Sequence, residues 1–208
     1  VRTCEACHDA AKAYGIPFIS GKDSLHNQFT NQETGEVIKI PNTLLISAIG
    51  VIDDIRNCLT MDFKSHRNMV TLIAARNSRD LTYLAQTHRL MAEAIRRKLV
   101  VSVHDVSDGG VITAAAEMCI ASGLGLSFAE EAFDYQPAFV EKPGQYLVEL
   151  SDPLKMEEIR KLFDSVADVV NIGVVQHLPR FQIVRAGKIT WDVSVEEMTK
   201  AWRGTLDW

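Results

Sequence analysis

The sequence predicts a mixed α/β fold, with mixed sheets flanked by helices, on three observations. Short apolar runs such as residues 69–75 and 99–103 have strand length and sit between turn signals. Residues 80–98, which separate them, carry Leu81, Leu84, Met91 and Ile95 on one helical face, interrupted only by His88, and Asp80 stands ahead as an N-cap. Glycine and proline punctuate the joints, as at Gly15 and Pro17, Gly123 and Gly125, and Pro143.

Taken in order, residues 2–14 read as a helix: Ala6, Ala10, Ala11 and Ala13 favour it, and Gly15 followed by Pro17 stops it. Residues 16–19 read as a short strand and residues 20–24 as a polar loop. Residues 31–35 have the composition of a hairpin tip, with 37–40 as one arm. Residues 43–52 read as a long buried strand, closed by Asp53 and Asp54. The polar, punctuated stretch 54–68 marks a domain boundary. Beyond it come the central strand 69–75, the helix 80–98, the strand 99–103 and a helix over 109–122, with Ala114, Ala115, Met118 and Cys119 apolar. Strands follow at 124–128 and 146–150, separated by an irregular stretch 130–142. Residues 153–166 are a helix, 169–175, 181–184 and 188–193 are strands, and Ser194 caps a last helix with Glu196 and Glu197 in its first turn.

The 208 residues are 47% hydrophobic, enough for a full core, and the formal net charge is −5. That balance argues against a nucleic-acid surface, which needs an excess of Lys and Arg. It leaves room for a small anionic substrate held by local groups. No apolar run approaches the roughly 18 residues needed to span a bilayer. The start shows no basic region followed by an apolar stretch and has no Met, so a fragment of a longer cytoplasmic protein is expected. Of the four cysteines, Cys4 and Cys7 form a C-x-x-C on one helical face; with no second pair or clustered His, two small buried thiols are expected rather than a zinc or redox site.

Residues 104–110 read His-Asp-Val-Ser-Asp-Gly-Gly between an apolar strand and a helix. A helix start exposes backbone N–H groups and carries partial positive charge, and glycines let a phosphate come close. Asp105 and Asp108 offer oxygen ligands of the kind Mg²⁺ prefers when it bridges phosphates, and Ser107 offers a hydroxyl. The alternative is a helix merely capped by Ser107 or Asp108, with Gly109 and Gly110 allowing close packing; spacing leaves both open. The loop holding Gly21, Lys22, Asp23 and Ser24 is either a phosphate-contacting turn or an ordinary solvated one. Asp53-Asp54 and Glu130-Glu131 read as solvated faces. His8, His26, His66, His88 and His177 show no ligand spacing, and Trp191, Trp202 and Trp208 read as packing residues. No nucleophile elbow or Ser-His-Asp order supports a hydrolase.

Two segments together carry a resemblance. Residues 15–25 (Gly-Ile-Pro-Phe-Ile-Ser-Gly-Lys-Asp-Ser-Leu) and 40–54 (Ile-Pro-Asn-Thr-Leu-Leu-Ile-Ser-Ala-Ile-Gly-Val-Ile-Asp-Asp) resemble the late part of formylglycinamidine ribonucleotide synthase. Residues 104–110, with Ala-Glu-Met-Cys at 116–119, resemble the same enzyme further on, and either motif alone is shared across the aminoimidazole ribonucleotide synthetase-like superfamily. The resemblance implies that residues 1–60 are the C-terminal part of an N-terminal α/β domain and that residues 65–208 are a synthetase-like C-terminal domain. It implies an ATP-dependent ligase of purine biosynthesis, acting on formylglycinamide ribonucleotide with ammonia from a glutaminase domain or subunit. ATP or ADP and Mg²⁺ would be the cofactors, with no nucleic acid or membrane as partner.

Within that resemblance Asp105 takes the place of a magnesium ligand and Ser107 of a nucleotide contact. Gly21, Lys22 and Ser24 lie where related enzymes touch nucleotide, although shorter relatives carry Asn and Val at the positions of Lys22 and Asp23. The family's catalytic His and glycine-rich N-terminal segment have no match here, so this stretch is expected to be inactive unaided, to hold a nucleotide for stability, and to self-associate through its apolar strand. Aminoimidazole ribonucleotide synthetase, selenophosphate synthetase, thiamine-phosphate kinase and a non-catalytic dimerisation or scaffold module are the alternatives.

Overall fold

The computed structural model describes residues 1–22, 27–129 and 136–204. It divides into two compact units, Val1–Asp53 and Asp54–Trp208.

In the first unit, α1 (Arg2–Tyr14) ends at Gly15, whose left-handed φ of 69° lets its N–H return to the Ala11 carbonyl. Strands β1 (Gln28–Thr30) and β2 (Val37–Lys39) form an antiparallel hairpin with Phe29 opposite Ile38. The Asn31 side chain closes its tip by accepting from the Glu33 N–H at 2.9 Å.

Two expectations fail in this unit. Residues 16–19 and 43–52 form no strand, and none of the unit's described residues is buried. A strand persists only when a neighbour takes up its N–H and C=O groups, and the unit offers only a three-residue hairpin. The apolar run therefore faces outward, with Leu45, Ile49 and Val51 exposed by 87, 90 and 95%. For the same reason Cys4 is exposed and Cys7 half-buried, where two buried thiols were expected. Such an apolar surface favours association. Light scattering on this 208-residue chain at high concentration should give a mass above the monomer's; a clean monomer would show that the run is sequestered.

The second unit is built on a seven-stranded sheet in the order β4-β6-β3-β7-β5-β8-β9. Its central strand β3 (Met69–Ala75) lies antiparallel between β6 (Gln145–Leu150) and β7 (Ala167–Gln176). Beyond β7 comes β5 (Gly125–Ala129), which runs parallel to β8 (Arg180–Arg185), and β8 pairs with β9 (Lys188–Ser194) at one edge. The other edge is β4 (Ser102–Asp105), antiparallel to β6. Side chains alternate across a strand, so the central strands have two apolar faces. One core gathers Val70, Leu72, Leu147 and Phe181 with Val111, Ala115 and Met118 of helix α3 (Gly110–Ser122). The other gathers Ile73, Val148 and Leu150 with helices α2 (Leu81–Arg96) and α4 (Lys155–Phe163). This is the mixed sheet with flanking helices that the sequence predicts.

Local signals account for the helix ends. Asp80 caps α2 by accepting from the Thr82 and Tyr83 N–H groups. Ser194 and Glu197 form a capping box at α5 (Val195–Gly204): the Glu197 N–H donates to Ser194 Oγ at 3.1 Å, and the Ser194 N–H donates to Glu197 Oε2 at 2.9 Å. One boundary moves. The strand expected at 99–103 is β4, Ser102–Asp105. Lys98, at a left-handed φ of 55°, first turns the chain, and Leu99 donates back to the Ala94 carbonyl. The ladder to β6 then runs from Ser102 opposite Glu149 to Asp105 opposite Tyr146, so His104 and Asp105 belong to the edge strand.

Candidate functional site

The site residues at 104–110 join the end of β4 to the start of α3. His104 is largely enclosed, its side chain 15% exposed, and Asp105 beside it is 69% exposed. The imidazole stands between two carboxylates: Nε2 is 2.9 Å from Glu117 Oε2, and Nδ1 is 3.5 Å from Asp105 Oδ1. Val106 then turns inward, buried, with its N–H donating to the Gln145 carbonyl.

The chain next closes a tight turn in which the Gly110 N–H donates to the Ser107 carbonyl at 2.9 Å. Gly109 and Gly110 both have positive φ, 82° and 69°. Neither Ser107 nor Asp108 caps the helix: the N-cap is Gly109, with no side-chain cap bond. Instead Thr113 Oγ1 donates to the Gly109 carbonyl at 2.9 Å. The side chains of Ser107 and Asp108 are consequently exposed at the helix start. Gly110 is fixed by packing as well as by φ, since a Cβ there would lie 2.5 Å from the Ala138 carbonyl oxygen.

Asp105, at the end of β4, and Ser107 and Asp108, in the turn ahead of the 13-residue helix α3, are thus all exposed. Among the described residues no group of three or more His, Cys, Asp and Glu is arranged to hold a metal. The donor set is of the sparse kind suited to an ion that takes one or two carboxylates and completes its shell with phosphates and water. Gly21 and Lys22 are exposed and lie in the first unit; Ser24 and Asp23 lie outside the described residues. Cys119 is buried, which pushes its thiol up to about 12 and leaves it unreactive. Glu117 falls within the 116–119 resemblance, but one carboxylate on a helix carries no signal of its partner until the strand opposite is known.

The chain belongs to the family of AIR synthase related proteins through their C-terminal domain, whose pattern matches residues 62–185. It is similar to the PurL subunit of phosphoribosylformylglycinamidine synthase from Thermoanaerobacter sp. (strain X514), with 26% identity over 223 residues covering 96% of this chain and 29% of that protein. The PurL subunit from Prochlorococcus marinus (strain MIT 9312) is 27% identical over 237 residues, covering 98% of this chain and 30% of that protein. The chain therefore spans about three-tenths of the length of these relatives. Among solved structures, Thermotoga maritima PurL complexed with ATP aligns with a TM-score of 0.68 at 14% identity, over 94% of this chain and 34% of that one. The same protein complexed with FGAR aligns with a TM-score of 0.61 at 14% identity, over 70% and 30% of the two chains. These likenesses show the AIR synthase-like fold. No helix among the described residues is long and apolar enough to cross a membrane.

Proposed function

We propose that this chain is part of an ATP-dependent ligase that converts formylglycinamide ribonucleotide, ammonia drawn from glutamine, and ATP to formylglycinamidine ribonucleotide. In this reading residues 1–60 finish an N-terminal domain and residues 65–208 are the C-terminal one. A glutaminase domain or subunit supplies the ammonia. The observation that supports the reading is the segment joining β4 to α3, which leaves Asp105, Ser107 and Asp108 exposed within four residues of chain on a domain of this family.

Asp105 and Asp108 hold Mg²⁺, which bridges the nucleotide's phosphates and neutralises their charge. Ser107 donates its hydroxyl to a phosphate oxygen. Gly109 and Gly110 shape the turn so that no Cβ stands over the backbone. On the same family resemblance, Gly21, Lys22 and Ser24 are further nucleotide contacts. The site holds ADP or ATP for stability rather than turnover.

Calorimetry with Mg-ADP on the complete protein tests this. Asp105→Ala should weaken binding by roughly tenfold or more, since a direct ligand should cost at least what the loss of an outer contact costs. Unchanged affinity would remove Asp105 from the site.

A further inference from the structure

We propose that His66 and His177 together form a site for a late first-row divalent metal ion such as Ni²⁺, Cu²⁺ or Zn²⁺. The two residues lie far apart in the sequence and show no ligand spacing there. The fold brings their rings to 5.8 Å between centroids, edge to face, with both residues exposed. They stand at the opposite end of the strands from the 104–110 turn: Met69 pairs with Leu150 at one end of β6, and Asp105 with Tyr146 at the other. The inference is therefore independent of the nucleotide reading.

The backbone around His66 is fixed for this. The Arg67 N–H donates to the Val175 carbonyl at 2.8 Å, and the Val175 N–H donates to the Asn68 carbonyl at 2.9 Å. Arg67 and Asn68 thus face one residue of β7, the pattern of a β-bulge whose first residue is left-handed, a place usually taken by glycine. Arg67 takes it at φ 71°, a conformation that strains a residue with a Cβ. The chain turns at residues 66 and 67 beside the end of β7, where His177 follows Gln176. Glu149 braces the turn from both sides, accepting from the Lys64 and Ser65 N–H groups and from Asn68 Nδ2. Ligands carried on a held backbone lose little freedom when they bind. Neutral imidazole suits zinc, copper and nickel, whereas Mg²⁺ prefers oxygen. Metal–nitrogen bonds of about 2.0–2.1 Å need the two rings slightly turned toward one ion, which exposed side chains can do by rotation. No group of three or more His, Cys, Asp and Glu exists among the described residues. Water therefore completes the shell, and the site is open, unlike the four-ligand sites of structural zinc.

Calorimetric titration of the complete protein with Ni²⁺, in mildly alkaline buffer with saturating Mg-ADP, tests this. The magnesium keeps oxygen-ligand sites occupied. The wild type should bind an Ni²⁺ that His66→Asn and His177→Asn each weaken roughly tenfold or more, since a direct ligand should cost at least what an outer contact costs. The double variant should add little to either single one, because losing one ring already breaks the chelate. The exposed thiols of Cys4 and Cys58 persist in every variant, so only binding lost with a histidine counts. Cu²⁺ should bind the same pair more tightly than Ni²⁺. A second readout needs no variant and decides the matter if a variant fails to fold. Ni²⁺ should protect both imidazoles from carbethoxylation, read by mass spectrometry of the two peptides. The inference is overturned if wild type and variants titrate alike, which is what rings that merely stack would give. It is equally overturned if only one of the two substitutions weakens binding, or if Ni²⁺ leaves either histidine unprotected.

Discussion

Gly110→Ala should destabilise the second unit by roughly 3 kcal/mol, as the sum of two effects. The first is conformational: at φ 69° an L side chain costs about 1–2 kcal/mol. The second is steric. The new Cβ would stand 2.5 Å from the Ala138 carbonyl oxygen and 2.7 Å from Phe139 C and Val140 N. All three are backbone atoms, so no rotamer change relieves the overlap, and forcing atoms into packed space costs about 1–3 kcal/mol. Gly123 supplies the control, since its φ is 72° and a Cβ there meets nothing within 4 Å. Gly123→Ala should therefore show the conformational cost alone. Urea unfolding of both variants isolates the packing of residues 138–140 against the start of α3. Equal losses would show that this close approach is absent in solution.

The same glycine shows what was legible beforehand. A Gly-Gly pair before a helix announces a special turn, and residues 104–110 could be located from it, but its purpose could not be read. The structure gives Gly110 a packing role and returns its N–H to Ser107, while Ser107 and Asp108 are left uncapped and exposed. Elements with a local cause were read correctly: Asp80 at α2, Gly15 after α1, and Ser194 with Glu197 at α5 each satisfy backbone groups within a few residues. Elements whose cause is distant were misread. Residues 43–52 have strand composition, but composition supplies no neighbour. His104 and Asp105 were read as lying beyond a strand, because pairing with Leu147 and Tyr146 cannot be seen from residues 99–105. Glu117 and Glu149 were invisible as partners, since each depends on residues 13 and more than 80 positions away.

Glu149 has the larger consequence for the fold. It lies on β6, within the strand expected at 146–150, and is completely buried. It accepts from the Lys64 N–H at 2.7 Å, the Ser65 N–H at 3.1 Å and Asn68 Nδ2 at 2.6 Å. Those donors lie in the segment leading into β3, and Ser102 Oγ, one strand over, donates to the Met61 carbonyl at 2.9 Å. One buried side chain thus fastens the entry segment to β6, one strand in from the edge of the sheet. Glu149→Ala leaves three donors facing no acceptor, and each orphaned buried group costs about 1–3 kcal/mol. Some will turn to water, so the net loss should be roughly 3–4 kcal/mol. Glu149→Leu should be no better, because filling the space does not supply an acceptor. Glu149→Gln keeps one oxygen and should lose less. The loss should be local at first: amide hydrogen exchange at Lys64 and Ser65 should speed up before β3 itself opens. Exchange there unchanged in Glu149→Ala, with stability within about 0.5 kcal/mol of the parent, would show that the segment is held by something other than this carboxylate.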